Sequence, residues 1–207
     1  MSNWLVGELG GEMLEWLKNE EDDAIAMLKR DHDSVKALFD RFDKAERKSQ
    51  KQKIVQQAID ELRIHATLEE ELFYPAVREQ LKTGIMNEAD EEHHIAKLLI
   101  AELDTIASDN DHFDAKFTVL AESVRHHIKE EEDQMLPKAR DLDIDFHALA
   151  RQMERRKEEL KTKGLPRTSE DAMIRKGHGQ ADSPARAARR KKPAAIKKRG
   201  AAQSSVR

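Results

Sequence analysis

Apolar residues recur every three or four positions along most of this chain, which is the period of helices with one buried face. The pattern predicts four main helices at about residues 23–47, 50–81, 87–108 and 112–141, and a fifth at about 145–161. Short polar joints connect the four main helices, so neighbours along the chain are expected to run antiparallel. The predicted fold class is all-α: an up-down-up-down four-helix bundle with an extra C-terminal helix packed against it.

The polar positions of these helices contain an internal repeat. The segment HATLEEELFYPAVR at residues 65–78 recurs 62 residues later as HIKEEEDQMLPKAR at residues 127–140, with His, two Glu, an acid, Pro and Arg at the same offsets. A weaker repeat just upstream aligns His32 with His93. The chain is therefore predicted to be a duplicated helical hairpin that carries one set of potential metal ligands in each half.

Each strong copy places a His and a Glu four residues apart, which is about one helical turn. His65 and Glu69 thus share a face in the first copy, as do His127 and Glu131 in the second. Apolar residues continue on the same faces, so these side chains are predicted to point inward. A buried imidazole or carboxylate without a partner costs several kcal/mol, so the groups either satisfy one another or hold a cation. Two facing carboxylates favour the cation.

A proline follows six residues after each of these glutamates, at Pro75 and Pro137. Proline lacks a backbone N–H and clashes with the preceding helical turn. Each is therefore predicted to kink or end its helix after the turn that carries the candidate ligands.

Composition restricts the chemistry of the site. None of the 207 residues is a cysteine, which excludes thiolate metal sites, iron-sulfur clusters and disulfides, so nitrogen and oxygen atoms must hold any metal. The N-terminus lacks a basic region followed by a long apolar segment, and 18 consecutive apolar residues occur nowhere. We expect a soluble, cytoplasmic protein that does not contact membranes.

Charge divides the chain into unlike parts. Residues 164–207 contain 12 Lys and Arg against three Asp and Glu, whereas residues 1–163 have a net charge of −13. The C-terminal part also contains helix-breaking Pro and Gly and little to bury, so it is predicted to be a disordered basic tail. The predicted folded domain covers residues 23–163, and residues 1–22 form an N-terminal amphipathic arm.

These residues resemble the hemerythrin, or HHE cation-binding, domain family over about residues 23–141. The resemblance implies a hemerythrin-like bundle with a non-haem di-iron centre, two Fe ions bridged by oxo and carboxylate groups. Carried over position by position, the metal ligands would be His32, His65, Glu69, His93, His127 and Glu131. In this assignment His32 and His65 serve one iron, His93 and His127 serve the other, and the two glutamates bridge them.

The sequence departs from the oxygen-carrying members that it resembles. They have a second His one turn after the third-helix His, where this chain has Lys97, and their fourth-helix carboxylate lies five rather than four residues after its His. More coordination positions are then open to O2, peroxide or nitric oxide. The resemblance thus implies redox chemistry or sensing in oxidative or nitrosative stress, which includes catalase-like activity. Reversible O2 storage is less expected. No catalytic acid or base is assigned.

The metal and the source of electrons follow from the same resemblance. Carboxylate and imidazole ligands suit iron, with manganese or zinc less favoured. An electron-donor protein is a further expected partner.

The repeat alignment also assigns roles to the neighbours of the candidate ligands. It selects His93 over His94 and His127 over His126. Tyr74 is expected to pack in the core, and Lys97 to extend its amine to water. Four acidic residues are expected to form a solvated or outer acidic face from which one can hydrogen-bond a ligand imidazole: Glu70, Glu71, Glu132 and Asp133.

The basic tail raises an alternative function. Lys and Arg at residues 183–199 could neutralise nucleic-acid phosphates and give weak, salt-sensitive and sequence-independent binding. The tail has no aromatic residue on which bases could stack. Under this alternative, the protein is an iron- or oxygen-sensing regulator that contacts nucleic acid through its tail.

Overall fold

A computed structural model describes residues 22–81 and 83–181. The predicted N-terminal arm, except for residue 22, and residues 182–207 of the predicted tail lie outside this part of the chain. Every helix or turn described below belongs to the two described ranges.

Six helices account for nearly all of the described residues, and no strand occurs among them. Helices α2 and α4 each contain a central π-helical turn that joins two α-helical segments. The helices are α1 (Ala24–Asp43), α2 (Lys48–Leu68, Glu69–Phe73 and Tyr74–Arg78), α3 (Thr83–Leu103), α4 (Phe113–Glu130, Glu131–Met135 and Leu136–Arg140), α5 (Phe146–Lys163) and α6 (Ser169–Ala181). The predicted all-α fold class is confirmed.

The helices assemble as two hairpins, α1 with α2 and α3 with α4. Helix α5 packs against α1 and α2, as expected for the predicted extra helix, and α6 packs against α3. Among the described helices, none is long and apolar enough to cross a bilayer.

The core consists of two hydrophobic clusters with a polar layer between them. The first cluster includes Leu28, Phe73 and Met153, and the second includes Val35 and Phe117. Along every helix of the bundle, the chain passes from one cluster to the other through the polar layer. Apolar packing on both sides therefore buries the polar layer.

The two π-helical turns begin at the two repeated glutamates. The backbone N–H of Tyr74 donates to the carbonyl of Glu69, and that of Leu136 donates to the carbonyl of Glu131, so each bond spans five residues. The helices therefore do not end after the ligand turn, which was one outcome predicted from Pro75 and Pro137. A widened turn instead lies just before each proline, and the helix continues through it.

The folded part extends past the predicted end of the domain at residue 163. Helix α5 ends at Lys163, and the next residue, Gly164, has a φ of 89°, a conformation that favours glycine. Leu165 packs against the first cluster, and helix α6 begins four residues further on. Disorder was predicted from residue 164 because this segment has little apolar surface. Polar contacts to α2 and α3 hold α6 instead, and periodicity along the chain does not reveal such contacts.

Candidate metal centre

All six residues predicted as ligands meet in the polar layer between the two clusters. Glu69 is 0% exposed and Glu131 is 1% exposed, and the four histidines are buried beside them. Potential ligand atoms lie within 4.8 Å of one another in two groups: His32, His65, Glu69 and Glu131, and Glu69, His93 and His127. The structure thus brings together residues from all four helices of the bundle.

Each glutamate lies between a histidine of its own helix and a histidine of the other hairpin. Oε2 of Glu69 is 3.2 Å from Nε2 of His65 and 3.4 Å from Nε2 of His93. Oε2 of Glu131 is 3.2 Å from Nε2 of His32 and 3.6 Å from Nε2 of His127.

The same contacts thus occur in both halves of the site, in the twofold pattern that the sequence repeat predicts. Both carboxylates therefore lie where they can join one half of the site to the other.

Several buried polar atoms of this group have no hydrogen-bond partner. They are Nε2 of His32, both ring nitrogens of His65, both carboxylate oxygens of Glu69, and Oε2 of Glu131. Although the Nε2 atoms are within 3.2 Å of carboxylate oxygens, the geometry is not that of a hydrogen bond. Buried polar atoms are otherwise paired in nearly all folded proteins. Unpaired nitrogen and oxygen atoms directed at one point fit a bound cation.

The local charges favour a charged carboxylate at the centre. Burial lowers the pKa of His65, but the charge of Glu69 outweighs burial and raises that pKa to about 10. Burial also lowers the pKa of His93, whereas Glu69 and Glu70 raise it to about 9. Burial alone would raise the pKa of Glu69, but His65 and His93 hold it well below its usual range. Glu69 is therefore ionised and attracts positive charge from both halves.

A second layer of carboxylates holds the imidazoles from outside. Oε1 of Glu70 is 2.8 Å from Nδ1 of His93, and Oε1 of Glu132 is 3.0 Å from Nδ1 of His32. Each is the residue directly after a central glutamate, and each contacts the opposite hairpin. The prediction that one of the acidic residues hydrogen-bonds a ligand imidazole is confirmed for both Glu70 and Glu132. Consecutive residues of a helix point to different sides, so one glutamate faces the centre and the next faces the outer nitrogen of an imidazole.

Two lysines complete this second layer. Nζ of Lys97 donates to Glu70 at 2.8 Å, and Nζ of Lys36 donates to Glu132 at 3.3 Å. Lys97 was expected to extend its amine to water, and in the structure this amine also pairs with Glu70, the carboxylate that orients His93.

Asp31 and Glu92 also approach ligand imidazoles, and the sequence reasoning missed them. Oε2 of Glu92 is 2.8 Å from Nδ1 of His127, whereas Oδ2 of Asp31 is 3.9 Å from Nδ1 of His65, too far for a hydrogen bond. Each directly precedes a candidate ligand histidine of its helix, and the two acids align with each other in the weaker repeat. This matched spacing was the signal that could have identified them.

Tyr74 reaches the site as well as packing in the core. Its ring belongs to the first cluster, as expected, but its hydroxyl donates to Oε1 of Glu131 at 2.8 Å and lies 3.2 Å from Nε2 of His93. Burial, with the charges of Glu69 and Glu131, raises the pKa of Tyr74 well above 10, so the hydroxyl keeps its proton. The repeat gave no signal here because the counterpart of Tyr74 is the apolar Leu136.

The remaining polar candidates lie outside the site. The side chain of His126 is 63% exposed, and that of His94 is 44% exposed and bonds to α6. Glu71 pairs with Arg156, and Asp133 pairs with Lys129 on the surface. The structure therefore separates His93 and His127 from their adjacent histidines, as the repeat alignment predicted.

Imidazoles and carboxylates that are buried between two apolar clusters of an all-helical bundle are typical of helical metal-binding proteins. The sequence profile of the family "Hemerythrin HHE cation binding domain" matches residues 23–139, which is more than half of the chain. The chain belongs to this family, and the resemblance inferred from its sequence is confirmed. It is a hemerythrin-like metal-binding protein.

The chain is also similar to two known proteins. A DNA nickase from Nostoc sp. (strain PCC 7120) is 25% identical over 129 residues, which is 62% of this chain. The chain spans 37% of the length of that relative. The crystal structure of a hemerythrin HHE cation-binding domain-containing protein from Mycobacterium kansasii matches with a TM-score of 0.58 at 23% identity, covering 69% of this chain and 94% of that one. The second likeness shows the hemerythrin fold.

Proposed function

We propose that this protein holds two iron ions and uses them to bind or process O2, peroxide or nitric oxide, in oxidative or nitrosative stress or its sensing. The observation that carries the proposal is the set of unpaired, buried nitrogen and oxygen atoms that converge between the hydrophobic clusters. His32 and His65 would hold one ion, and His93 and His127 the other. Glu69 and Glu131 would bridge the pair.

The surrounding residues support this role. A set of imidazole and carboxylate ligands without thiolate suits iron. Bound iron would donate electrons to a small ligand or accept electrons from it. Glu70, Glu92 and Glu132 accept hydrogen bonds from imidazole Nδ1 atoms, which leaves each Nε2 directed at the centre. The hydroxyl of Tyr74 provides a hydrogen-bond donor inside the site.

The first test is metal content. We expect the metal-free chain to take up about two Fe(II) per chain and to show absorption bands between about 300 and 600 nm that change when peroxide is added. The double variant Glu69→Ala with Glu131→Ala removes both bridges and should take up no iron. Bound iron should also raise the melting temperature of the wild type but not that of the double variant, because a ligand stabilises the state that binds it.

A matched control separates the site from a general loss of carboxylates. Glu122 is exposed on α4, so Glu122→Ala should retain both iron ions. If the wild type takes up no iron, and its stability is the same with and without Fe(II), the proposal is wrong and the polar layer is satisfied internally.

A second candidate function has support from a different observation. The relative at 25% identity is a DNA nickase, and residues 182–207 of this chain contain nine Lys and Arg against one Asp. The candidate is a regulatory protein whose metal site senses iron or oxygen and whose basic tail contacts nucleic acid through its phosphates. Deletion of the tail distinguishes the two functions.

A further inference from the structure

A cavity of about 150 Å³ lies beside the candidate metal centre. The four candidate ligand imidazoles line it, and so do apolar side chains of the second hydrophobic cluster: Val35, Leu62, Ile100, Val124 and Ile128. The cavity is therefore an apolar chamber in which the imidazoles are the polar groups next to the candidate centre. Such a chamber favours a ligand with an apolar body over one that is polar throughout.

The chamber is larger than a ligand with two non-hydrogen atoms would fill. An apolar cavity of about 150 Å³ in another protein binds benzene, which has six non-hydrogen atoms. O2, nitric oxide and hydrogen peroxide have two each and would leave most of the chamber unfilled. A ligand with about six non-hydrogen atoms would bury more apolar surface in the chamber than a diatomic ligand and would bind more tightly for that reason.

The C-terminal segment forms part of the chamber wall. Leu165, Pro166 and Thr168 line the cavity, although they follow the four-helix bundle in sequence. Two side chains at the start of α6 fix this segment in place. Oε1 of Glu170 is 2.6 Å from Nδ1 of His94, and Arg63 donates to Asp171 at 3.0 Å.

The wall is also fixed internally. The backbone N–H of Thr168 donates to Asp171 at 3.0 Å, and the N–H of Asp171 donates to the hydroxyl of Thr168 at 3.2 Å. This reciprocal cap begins α6 directly beside the chamber. The segment is thus a built wall and not a loose covering.

Charged groups at the chamber restrict its ligand further. Asp31, Glu70, Glu71 and Glu92 contribute four carboxylates to the lining, against the cations Arg63 and Lys97. Each of these carboxylates is already paired, with Lys157, Lys97, Arg156 and His127 in turn, so none of them offers a free charge to an ionic ligand. An ionic ligand would also lose hydration in the apolar part. The favoured ligand is therefore uncharged.

We propose that the chamber binds a small uncharged organic molecule with a compact apolar body of about four carbons and one polar end, as in a short alkyl hydroperoxide. The apolar body lies among the side chains of the second cluster, and the polar end lies at the imidazoles. Leu165 and its neighbours set the upper limit on ligand size. The choice of a hydroperoxide for the polar end rests on the function proposed above, whereas the chamber and its wall do not depend on it.

The test uses the full-length chain without metal and tert-butanol, an unreactive analogue of tert-butyl hydroperoxide. We expect saturable shifts in the methyl NMR signals of Val35, Ile100 and Leu165 as tert-butanol is added. Ala96 also lines the chamber, and Ala96→Leu fills part of it, so binding should weaken at least about tenfold. Ala115→Leu, the same substitution at an exposed position of α4, should leave binding unchanged.

A second variant tests the wall and the size limit. Cumyl alcohol has ten non-hydrogen atoms and should not bind to the wild type. Leu165→Ala widens the chamber and should admit it, with saturable shifts at Val35 and Ile100. The Leu165→Ala experiment tests the proposed chamber even if Ala96→Leu fails to fold.

Three results would overturn the proposal: no saturable shift in the wild type at about 100 mM tert-butanol, equal affinity in Ala96→Leu, or no binding of cumyl alcohol to Leu165→Ala. Its failure is distinct from failure of the metal proposal. A chain that takes up iron but does not bind tert-butanol disproves the chamber alone, whereas one that binds tert-butanol but takes up no iron disproves the metal proposal alone.

Discussion

The residue directly after each central glutamate orients an imidazole of the opposite hairpin. Glu70 follows Glu69 and holds His93, and Glu132 follows a glutamate of α4 and holds His32. Consecutive residues of a helix differ by about 100° in direction, so one turn can present one carboxylate to the centre and the next to the outer nitrogen of an imidazole. The two hairpins therefore support each other's histidines.

Substitution of these outer carboxylates should weaken metal binding in one half of the site at a time. Glu70→Gln removes the charge behind His93 and Glu132→Gln the charge behind His32, so each should lower the affinity for one metal ion by about 10- to 100-fold. Fe(II) titration with metal analysis measures the effect. Glu71→Gln is the control, because Glu71 pairs with Arg156. A loss as large in Glu71→Gln as in Glu70→Gln would contradict this assignment.

Removal of the Tyr74 hydroxyl should destabilise the metal-free protein. Tyr74→Phe keeps the ring in the first cluster but leaves Oε1 of the buried Glu131 without its donor at 2.8 Å. A buried polar group that loses its partner costs about 1–3 kcal/mol, so we expect a loss of this size in the free energy of unfolding.

Denaturant unfolding of metal-free protein measures this loss. The same substitution should change the absorption spectrum of the iron-loaded protein, because it alters the surroundings of a proposed bridging carboxylate. An unchanged free energy of unfolding together with an unchanged spectrum would show that the hydroxyl has no role in the site.

At the scale of single elements, helix α6 depends on one buried carboxylate. Glu170 is 4% exposed and contacts His94 on α3 and Ser169 on its own helix. Burial raises the pKa of Glu170, but the N–H group at the start of α6, His94 and Ser169 lower it from 4.5 to about 2, with a further contribution from Lys97. Because the folded-state pKa is depressed, the stabilisation is present above pH 4.5 and is lost as the pH falls toward 2.

The pH dependence can be measured with Glu170→Gln. Above about pH 5 this variant should be less stable than the wild type by about 1–3 kcal/mol, and the difference should disappear as the pH approaches 2. Denaturant unfolding at several pH values gives the difference directly. Glu154→Gln, at an exposed position of α5, should show no such trend. A difference that is constant from pH 7 to pH 2 would rule out Glu170 as the titrating group.

The spacing of apolar residues predicted those helices whose position depends on apolar packing. The four bundle helices and α5 were predicted from their apolar faces, and the structure shifts their ends by a few residues. The π-helical turns were not predicted, because a kink and a widened turn leave the same proline signal at Pro75 and Pro137. Helix α6 was missed because polar contacts with Arg63 and His94 hold it in place of an apolar face.

At the scale of the whole molecule, charge is distributed very unevenly. Deletion of residues 182–207 removes nine Lys and Arg and one Asp, which changes the net charge from −4 to −12. The six candidate metal ligands all precede this segment in sequence. The deletion should therefore leave iron content and the response to peroxide unchanged.

The same deletion tests the nucleic-acid function. The full-length chain should be retained on duplex DNA at about 50 mM salt and released by about 200 mM, because phosphate contacts weaken steeply with salt. The deleted chain should not be retained at either salt concentration. Retention assays with both chains measure this. If the full-length chain already fails to bind at low salt, the nucleic-acid function is excluded.

The sequence alone determined the all-α class, the duplication and the six residues that meet in the polar layer. These features depend on the helical period, which is local: a His and a Glu four residues apart share a face whatever packs against it. The tertiary structure decided which carboxylate holds which imidazole, that Tyr74 reaches Glu131, and that the segment before α6 lines a chamber beside the site. Those contacts join residues from different helices, so their distances depend on how the helices pack and not on the spacing along any one of them.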